Sequence, residues 1–173
     1  MRDFFEDKVN FYMILEQQSS MTLREHVVKY RARFDIARQQ VLLQTLGGSL
    51  EFLHANGIVM RALDPQGILM SESSVAGTTW DGGNALPLIA RLSHATVMNI
   101  DDDQFTVGCF GDPHFRAPEV LGGQPYTYKA DVWSFGVLAY WILTGQLPFS
   151  LKTQADMGSD DSSSEEILQE SDA

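Results

Sequence analysis

Residues 132–143 constrain the fold of this chain more than any other stretch. All of them except Ser134 and Gly136 are apolar, and Gly145 follows shortly afterwards. The stretch is too short to cross a bilayer, which takes about 20 residues. A helix that is apolar all round requires burial on every side, and a glycine often ends a helix. The sequence therefore predicts a central, fully packed helix over residues 131–144 of a soluble domain.

Charge and cysteine content narrow the classes of function. The net charge is −11, and residues 151–173 hold seven acidic side chains against one lysine. Such a balance argues against a nucleic-acid binder that works through a broad basic face. The single cysteine, Cys109, excludes an internal disulfide. No signal peptide or membrane span is apparent, so we expect a cytoplasmic protein without a membrane or nucleic-acid partner.

The chain before this helix alternates strand-like and helix-like patterns. Residues 4–16 read as a β-hairpin. Thr22 is followed three residues later by Glu25, the spacing of a capping box. Asp35 opens a second apolar helical pattern, which Asn56-Gly57 would end. Short apolar runs at 67–70 and 86–92 flank a Ser/Gly-rich loop, and the fold class that follows is α+β, mainly α.

Four motifs occur in a characteristic order. The chain reads GIVMRALDPQGIL at 57–69, RAPE at 116–119, DVWSFGV at 131–137 and LTGQLPF at 143–149. In order and spacing they resemble the C-terminal lobe of a eukaryotic protein kinase, in a variant closer to Ser/Thr kinases than to Tyr kinases. The resemblance implies a partial kinase-like domain over 1–150: the last N-lobe hairpin and hinge at 4–16, then the C-lobe at 21–149. We expect this fold to be incomplete at both ends, with an acidic, Ser-rich disordered tail over 151–173.

The catalytic loop departs from the family pattern. That pattern reads His-Arg-Asp, with Lys two residues after the Asp and Asn five residues after it. The matching residues here are Met60, Arg61, Ala62, Asp64 and Gly67. In the family the Asp accepts the proton of the substrate hydroxyl and the Asn holds magnesium. A methyl group and a hydrogen atom stand at those two positions.

The second metal-binding motif, Asp-Phe-Gly, is also lost. Its best match is Arg91-Leu92-Ser93, so a cation stands where the metal-binding carboxylate belongs. An arginine can neutralise phosphate charge but cannot ligate a metal. We therefore expect neither magnesium nor any obligatory cofactor.

Other positions match the family in architectural or nucleotide-binding roles. By resemblance, Leu15, Glu16 and Gln18 lie at the hinge beside the adenine, and Leu69 forms the floor of the adenine pocket. ATP binding through these residues would be weak. The remaining matches have structural roles: Ala117, Pro118, Glu119, Asp131, Trp133 and Gly136.

Several smaller expectations concern single residues. In the family, the arginine at this position pairs with an activation-loop phosphate, and Asp112 or the acidic run 101–103 could take that role for Arg61. A solvated acidic loop is the preferred interpretation for 101–103 and an equal alternative for Asp112. The four histidines show no metal-ligand spacing, so we expect them at the surface or at helix ends. Cys109 reads as an ordinary small side chain. The serines near 159–166 suit an acidophilic kinase, although a plain solvated tail is the simpler interpretation.

Three hypotheses about function follow. The first is a catalytically inactive pseudokinase fragment that acts as a binding or scaffold module. It needs a protein partner, because without the family's later helices we expect three or four large side chains of the apolar helix to be exposed. The second is an ATP-dependent Ser/Thr protein kinase with atypical motifs and an N-lobe supplied elsewhere. The third is a partial gene model of a longer kinase, which is compatible with the first.

Overall fold

A computed structural model describes residues 3–14, 21–31, 35–71, 86–98, 106–151 and 168–170. Helices and short strands are interspersed along these ranges, so the predicted α+β class is confirmed. The helices are α1 (Leu23–Tyr30), α2 (Ile36–Ala55), α3 (Pro118–Leu121) and α4 (Lys129–Thr144), with a 3-10 turn at Pro113–Phe115. The strands are β1 (Asp3–Glu6), β2 (Phe11–Ile14), β3 (Ile58–Val59), β4 (Ile68–Ser71), β5 (Leu86–Ile89), β6 (Thr96–Val97), β7 (Phe149–Leu151) and β8 (Leu168–Glu170).

The predicted N-terminal hairpin is confirmed as the antiparallel pair β1–β2, with Phe5 opposite Tyr12. The rings of these two residues stack with centroids 4.8 Å apart. In the turn, the Asp7 carboxylate accepts hydrogen bonds from the backbone amides of Val9 and Asn10. These bonds hold the pKa of Asp7 below its ordinary value. The predicted hinge residues Leu15, Glu16 and Gln18 lie outside the described residues.

Both predicted helix starts are confirmed. Thr22 and Glu25 form a complete capping box at α1, which lowers the pKa of Glu25 through its bond from the Thr22 amide. Asp35 caps α2 by accepting from the Arg38 amide at 2.9 Å. The α2 helix ends where Gly57 adopts φ +72°, a conformation that glycine reaches at little cost. Local sequence signals therefore determined both ends of α2.

The main core forms where α4 packs against α2, α1 and β4. Leu23, Leu46, Ile68, Leu138 and Ile142 are essentially inaccessible to solvent. The expectation that the histidines lie at the surface or at helix ends is wrong for His26, which is 1% exposed. Burial lowers the pKa of His26 to about 4, with a smaller contribution from Lys29. The core thus holds one neutral imidazole.

The helix α4 is not packed on every side, so that part of the prediction is wrong, whereas the expectation that several of its large side chains are exposed is confirmed. One face of the helix packs into the core through Ser134, Leu138 and Ile142. On the opposite face, Val132 is 52% exposed and Leu143 is 50% exposed, with Tyr140 in the same row. Gly136 lies between them, and a Cβ added there would meet nothing within 4 Å. The described residues therefore leave an apolar stripe on α4 uncovered, because they supply only one of the two layers that such a helix needs.

The other described strands pair antiparallel as β3–β6, β4–β5 and β7–β8. The β4–β5 pair places Leu69 opposite Leu88, so both predicted apolar runs form strands. The β7–β8 pair joins Leu151 to Leu168. Of the predicted tail over 151–173, only these strand residues are described, and the serines at 159–166 lie outside.

Candidate functional site

The loop between β3 and β4, residues 60–67, is held from below by Asp131 of α4. The Asp131 carboxylate accepts hydrogen bonds from the Met60 amide at 2.7 Å and the Arg61 amide at 2.8 Å. It also lies 2.9 Å from Nε2 of His54. Arg61 has φ +63°, a strained value for a residue with a side chain. Asp131 is 1% exposed, so its three bonds fix the loop in this conformation.

Ala62, which matches the family's catalytic base, is buried under a neighbouring glycine. Gly111 has φ +74°, and a Cβ added to it would lie 3.0 Å from the Cβ of Ala62. The same added atom would lie 3.4 Å from Oδ2 of Asp64. The segment around residue 111 therefore sits directly on the methyl group of Ala62, and only a glycine fits there.

Asp64 and Arg91, which looked like two separate departures in sequence, form one ion pair. Nη1 of Arg91 donates to Oδ2 of Asp64 at 2.9 Å, and Asp64 is 2% exposed. The other oxygen of Asp64 accepts from the amides of Gln66 and Gly67, both at 2.9 Å. The buried carboxylate of Asp64 thus accepts hydrogen bonds from three donors. These bonds offset the free-energy cost of burying its charge.

Gly67 fits closely beneath Arg91. A Cβ added to Gly67 would lie 3.1 Å from the Cβ of Arg91. The Gly67 carbonyl accepts from the amides of Ala90 and Arg91, at 2.9 and 3.1 Å. A side chain at position 67 would therefore crowd Arg91, and the glycine leaves room for it. These residues do not fit magnesium, because Gly67 has no side-chain oxygen, its carbonyl already accepts two amides, and Arg91 is a cation.

The Arg61 side chain points into the segment that follows β6. Its Nε donates to the His94 carbonyl at 2.6 Å, and Nη1 donates to the Thr106 hydroxyl at 3.1 Å. Its guanidinium lies over the ring of Phe110, 4.5 Å from the centroid. Nη1 also donates to the Val107 carbonyl at 3.5 Å. Four groups, two of them backbone carbonyls, thus contact one guanidinium.

The hypothesis that Asp112 pairs with Arg61 is wrong. Oδ1 of Asp112 instead accepts from the backbone amide of His114 at 3.0 Å and lies 2.8 Å from its Nδ1. Asp112 therefore caps the 3-10 turn at Pro113–Phe115. The acidic run 101–103, the other candidate, lies outside the described residues.

Further bonds hold residues 106–116 together and join them to Tyr126 and to α3. Arg116 donates from Nε to the Phe110 carbonyl at 2.9 Å and from Nη2 to the Gly111 carbonyl. The Tyr126 hydroxyl donates to the Gly108 carbonyl at 2.8 Å. Burial raises the pKa of Tyr126 above its ordinary value, so the phenol remains a donor. Cys109 is exposed, and its thiol donates to the Val120 carbonyl.

The predicted architectural residues occupy structural positions. Ala117 is fully buried in a small second core cluster, and Pro118 begins α3. Trp133 packs against both clusters and stacks on Phe149 with ring centroids 5.5 Å apart. Glu119 is partly exposed on α3. The remaining two, Asp131 and Gly136, lie on opposite faces of α4, as described above.

Two open grooves lie elsewhere on the described surface. One of about 510 Å³ runs between α2 and β5, past Gly48, Phe52 and Leu88. The other, of about 460 Å³, runs between α2 and α4, past Glu51 and Val132. Over the described ranges, no group of three or more His, Cys, Asp or Glu residues is placed to hold a metal ion. None of the helices described here is long and apolar enough to span a membrane.

Comparison with protein families matches residues 1–172 to the protein kinase domain family. The chain belongs to the protein kinase domain family. Among curated proteins, human serine/threonine-protein kinase ULK1 is 30% identical over 155 residues, covering 90% of this chain and 14% of that protein. Chicken smooth muscle myosin light chain kinase is 30% identical over 150 residues, which cover 85% of this chain and 7% of that protein. Human serine/threonine-protein kinase H1 is 30% identical over 147 residues, which cover 85% of this chain and 32% of that protein.

The relatives make the family assignment firm and leave the activity of this chain open. All three relatives are named as kinases, two of them as serine/threonine-protein kinases. This chain spans a third or less of the length of each of them. The chemistry of its own site must therefore be argued from its own residues.

Sequence reasoning missed the contacts of four residues of this site. Phe110 and His94 were not assigned to Arg61, and Arg116 was noted only as part of a motif. A lone aromatic in a segment without periodicity carries no sequence signal for its partner. His54 was likewise visible only as an isolated histidine, although it completes the bonds of Asp131.

Proposed function

We propose that this protein-kinase-family chain is a pseudokinase: it does not transfer phosphate, and it acts as a binding or scaffold module. The observation that carries the proposal is the ion pair between Asp64 and Arg91, 2.9 Å long, at the positions of the family's catalytic-loop lysine and metal-binding aspartate. The signs of the two charges are exchanged relative to the family. A cation held in the metal position repels a divalent ion instead of binding it.

The rest of the loop supports the same conclusion. A general base contributes about 10²–10⁴-fold to a transfer rate, and the base position is the buried methyl of Ala62. Gly111 packs against that methyl, where a substrate hydroxyl would have to approach. Gly67 offers no oxygen at the second metal position. Phosphoryl transfer relies on positioning and on metal charge, and this site lacks residues for both.

We assign residues 21–149 to a kinase C-lobe and the β1–β2 hairpin to the end of an N-lobe. The support is the order of elements: a hairpin, two helices, the loop at 60–67, the β4–β5 pair, the segment before α3, and α4. The bonds from Asp131 to the loop amides link the last of these elements to the loop.

The binding role of this proposal is supported by the uncovered stripe on α4. Val132, Tyr140 and Leu143 are each between 38% and 52% exposed along one row. Fully burying a large apolar side chain is worth about 1.5–3 kcal/mol, and contiguous apolar patches commonly mark interaction sites. A protein partner that covers this stripe would add the missing layer over the helix.

Equilibrium binding of ATP, measured with and without magnesium, tests the proposal. Leu69 is partly buried at the predicted adenine floor, so weak binding of the base remains compatible with it. We expect a dissociation constant that magnesium does not lower, because Arg91 occupies the metal position. The triple variant Asp64→Lys, Gly67→Asn and Arg91→Asp restores the family residues and serves as the matched comparison. A tenfold or greater strengthening of ATP binding by magnesium in the unmodified chain would overturn the proposal.

A further inference from the structure

Two side chains from separate segments, Arg61 and His94, lie against the aromatic ring of Phe110. The Arg61 guanidinium carbon lies 4.5 Å from the centroid of Phe110. The His94 imidazole stacks on the same ring, with centroids 4.8 Å apart and planes at 21°. Arg61 also donates to the His94 carbonyl, so all three members contact one another. We call Arg61, His94 and Phe110 the aromatic latch.

The backbone next to the latch is shaped to admit the ring. Gly108 has φ +111°, and a Cβ added to it would lie 2.6 and 2.8 Å from Cε2 and Cζ of Phe110. Any side chain at 108 would therefore displace the ring. The same stretch is anchored to Tyr126, which exchanges two backbone bonds with Thr106 at 2.8 and 2.9 Å and donates its hydroxyl to Gly108.

We propose that Phe110 is the internal partner of Arg61 and takes the place of an anionic group, so that residues 106–116 stay docked on the loop without covalent modification. The nearest carboxylate of the segment, Asp112, is committed to His114. The other donors of Arg61 already reach the His94 carbonyl and the Thr106 hydroxyl. A guanidinium over an aromatic face gains its electrostatic attraction without any added charge.

This proposal concerns the conformation of the segment and stands whether or not the chain transfers phosphate. Its consequence is a fixed surface at residues 106–116. In a regulated kinase-like domain, that segment would dock on the loop only after a covalent modification. Here the latch supplies a permanent partner from within the segment itself.

Amide hydrogen exchange of the unmodified full chain tests the proposal, read at the Thr106 and Tyr126 amides. Phe110→Leu keeps an apolar side chain and removes the ring. We expect it to raise exchange at both amides by about 2- to 30-fold, the range that corresponds to a cation–π contact. Phe52→Leu makes the same change on an exposed ring of α2 and should leave both amides unaffected. Equal exchange in the Phe110→Leu variant and the unmodified chain would overturn the proposal.

A second pair of variants keeps the test decisive if the first variant loosens the whole domain. Arg61→Lys retains the charge and loses the planar group, and combining it with Phe110→Leu should add little further exchange because the two residues act together. Fully additive effects would contradict the latch. Thr106→Glu places a carboxylate beside Arg61. In the Thr106→Glu variant we expect exchange that is unchanged or faster than in the unmodified chain. Markedly slower exchange would show that Arg61 needs an anionic partner to hold the segment, and would overturn the proposal.

Discussion

Asp64 and Arg91 form a 2.9 Å ion pair in which each residue carries the charge opposite to that of its family counterpart. The family places a lysine and an aspartate at these positions, and this chain places an aspartate and an arginine. Because the two exchanges compensate one another, opposite charges still meet beside the loop, and the arginine at the metal position is the basis of the proposal that magnesium does not bind. The remaining departures fit the same pattern, since Gly67 makes room for Arg91 and Gly111 covers Ala62.

This compensation predicts a specific outcome for charge reversal. Arg91→Asp alone places two carboxylates together and should lower the free energy of unfolding by about 1–2 kcal/mol, a value reduced because Arg91 is 36% exposed. Adding Asp64→Lys should recover part of that loss, although not the bonds from the Gln66 and Gly67 amides. Urea unfolding measures both changes. Lys129→Asp reverses a charge on exposed helix surface and should change stability by less than about 0.5 kcal/mol. A double variant no more stable than Arg91→Asp would contradict the compensation.

The contact between Gly111 and Ala62 can be tested against a matched glycine. Gly111 and Gly123 have similar positive φ angles of 74° and 67°, but an added Cβ at 123 meets nothing within 4 Å. Gly123→Ala should therefore cost only the backbone strain, about 1 kcal/mol. We expect Gly111→Ala to cost about 1–2 kcal/mol more, because its methyl overpacks the loop. Thermal unfolding would disprove the close contact if the two variants lost the same stability.

Asp131 should be the most sensitive single residue of the loop. Asp131→Ala leaves the buried Met60 amide and the strained Arg61 without acceptors, so we expect a loss of about 3–5 kcal/mol in the free energy of unfolding. Asp35→Ala removes another backbone-capping aspartate and should cost only about 1 kcal/mol. Denaturant unfolding of the two variants compares them directly. Similar losses at both positions would mean that Asp131 is not the support of the loop.

Buried His26 predicts a pH dependence of stability. Its pKa falls to about 4 in the folded chain, mainly through burial, against 6.5 for the ordinary side chain. Below pH 6.5 the unfolded chain binds a proton that the folded chain excludes, so stability falls as the pH drops. The contribution is fully present above pH 6.5, and about 3 kcal/mol is lost by pH 4. His26→Gln should remove this part of the curve. Parallel curves for the variant and the unmodified chain would argue against a neutral buried imidazole.

Local signals in the sequence predicted the fold well. The capping box at Thr22, the cap at Asp35 and the positive φ at Gly57 are decided by residues within one turn of each boundary. The pairing of β4 with β5 was not predicted, because periodicity alone does not show that two short apolar runs are strands or that they pair. The exposed large side chains of α4 were expected only from the resemblance, because periodicity shows that a helix needs burial and not whether the chain supplies the second layer.

Motif spacing in the sequence singled out most residues of the candidate site, but it did not predict which of them contact one another. Motif spacing located Met60, Ala62, Asp64 and Gly67, and it identified Arg91 as the residue in the metal position. Spacing could not show that Asp64 and Arg91 meet, because 26 residues separate them in the chain. The ring of Phe110 was missed for the same reason, since a cation–π contact depends on the tertiary path of the segment.

A phosphotransfer assay tests the central claim most directly. The full chain would be incubated with radiolabelled ATP, magnesium or manganese, and a generic Ser/Thr acceptor protein, with Asp64→Asn as the matched variant. The exchanged ion pair, the methyl at Ala62 and the bare Gly67 predict no transfer above background in either protein. Transfer by the unmodified chain that is abolished in Asp64→Asn would contradict the account.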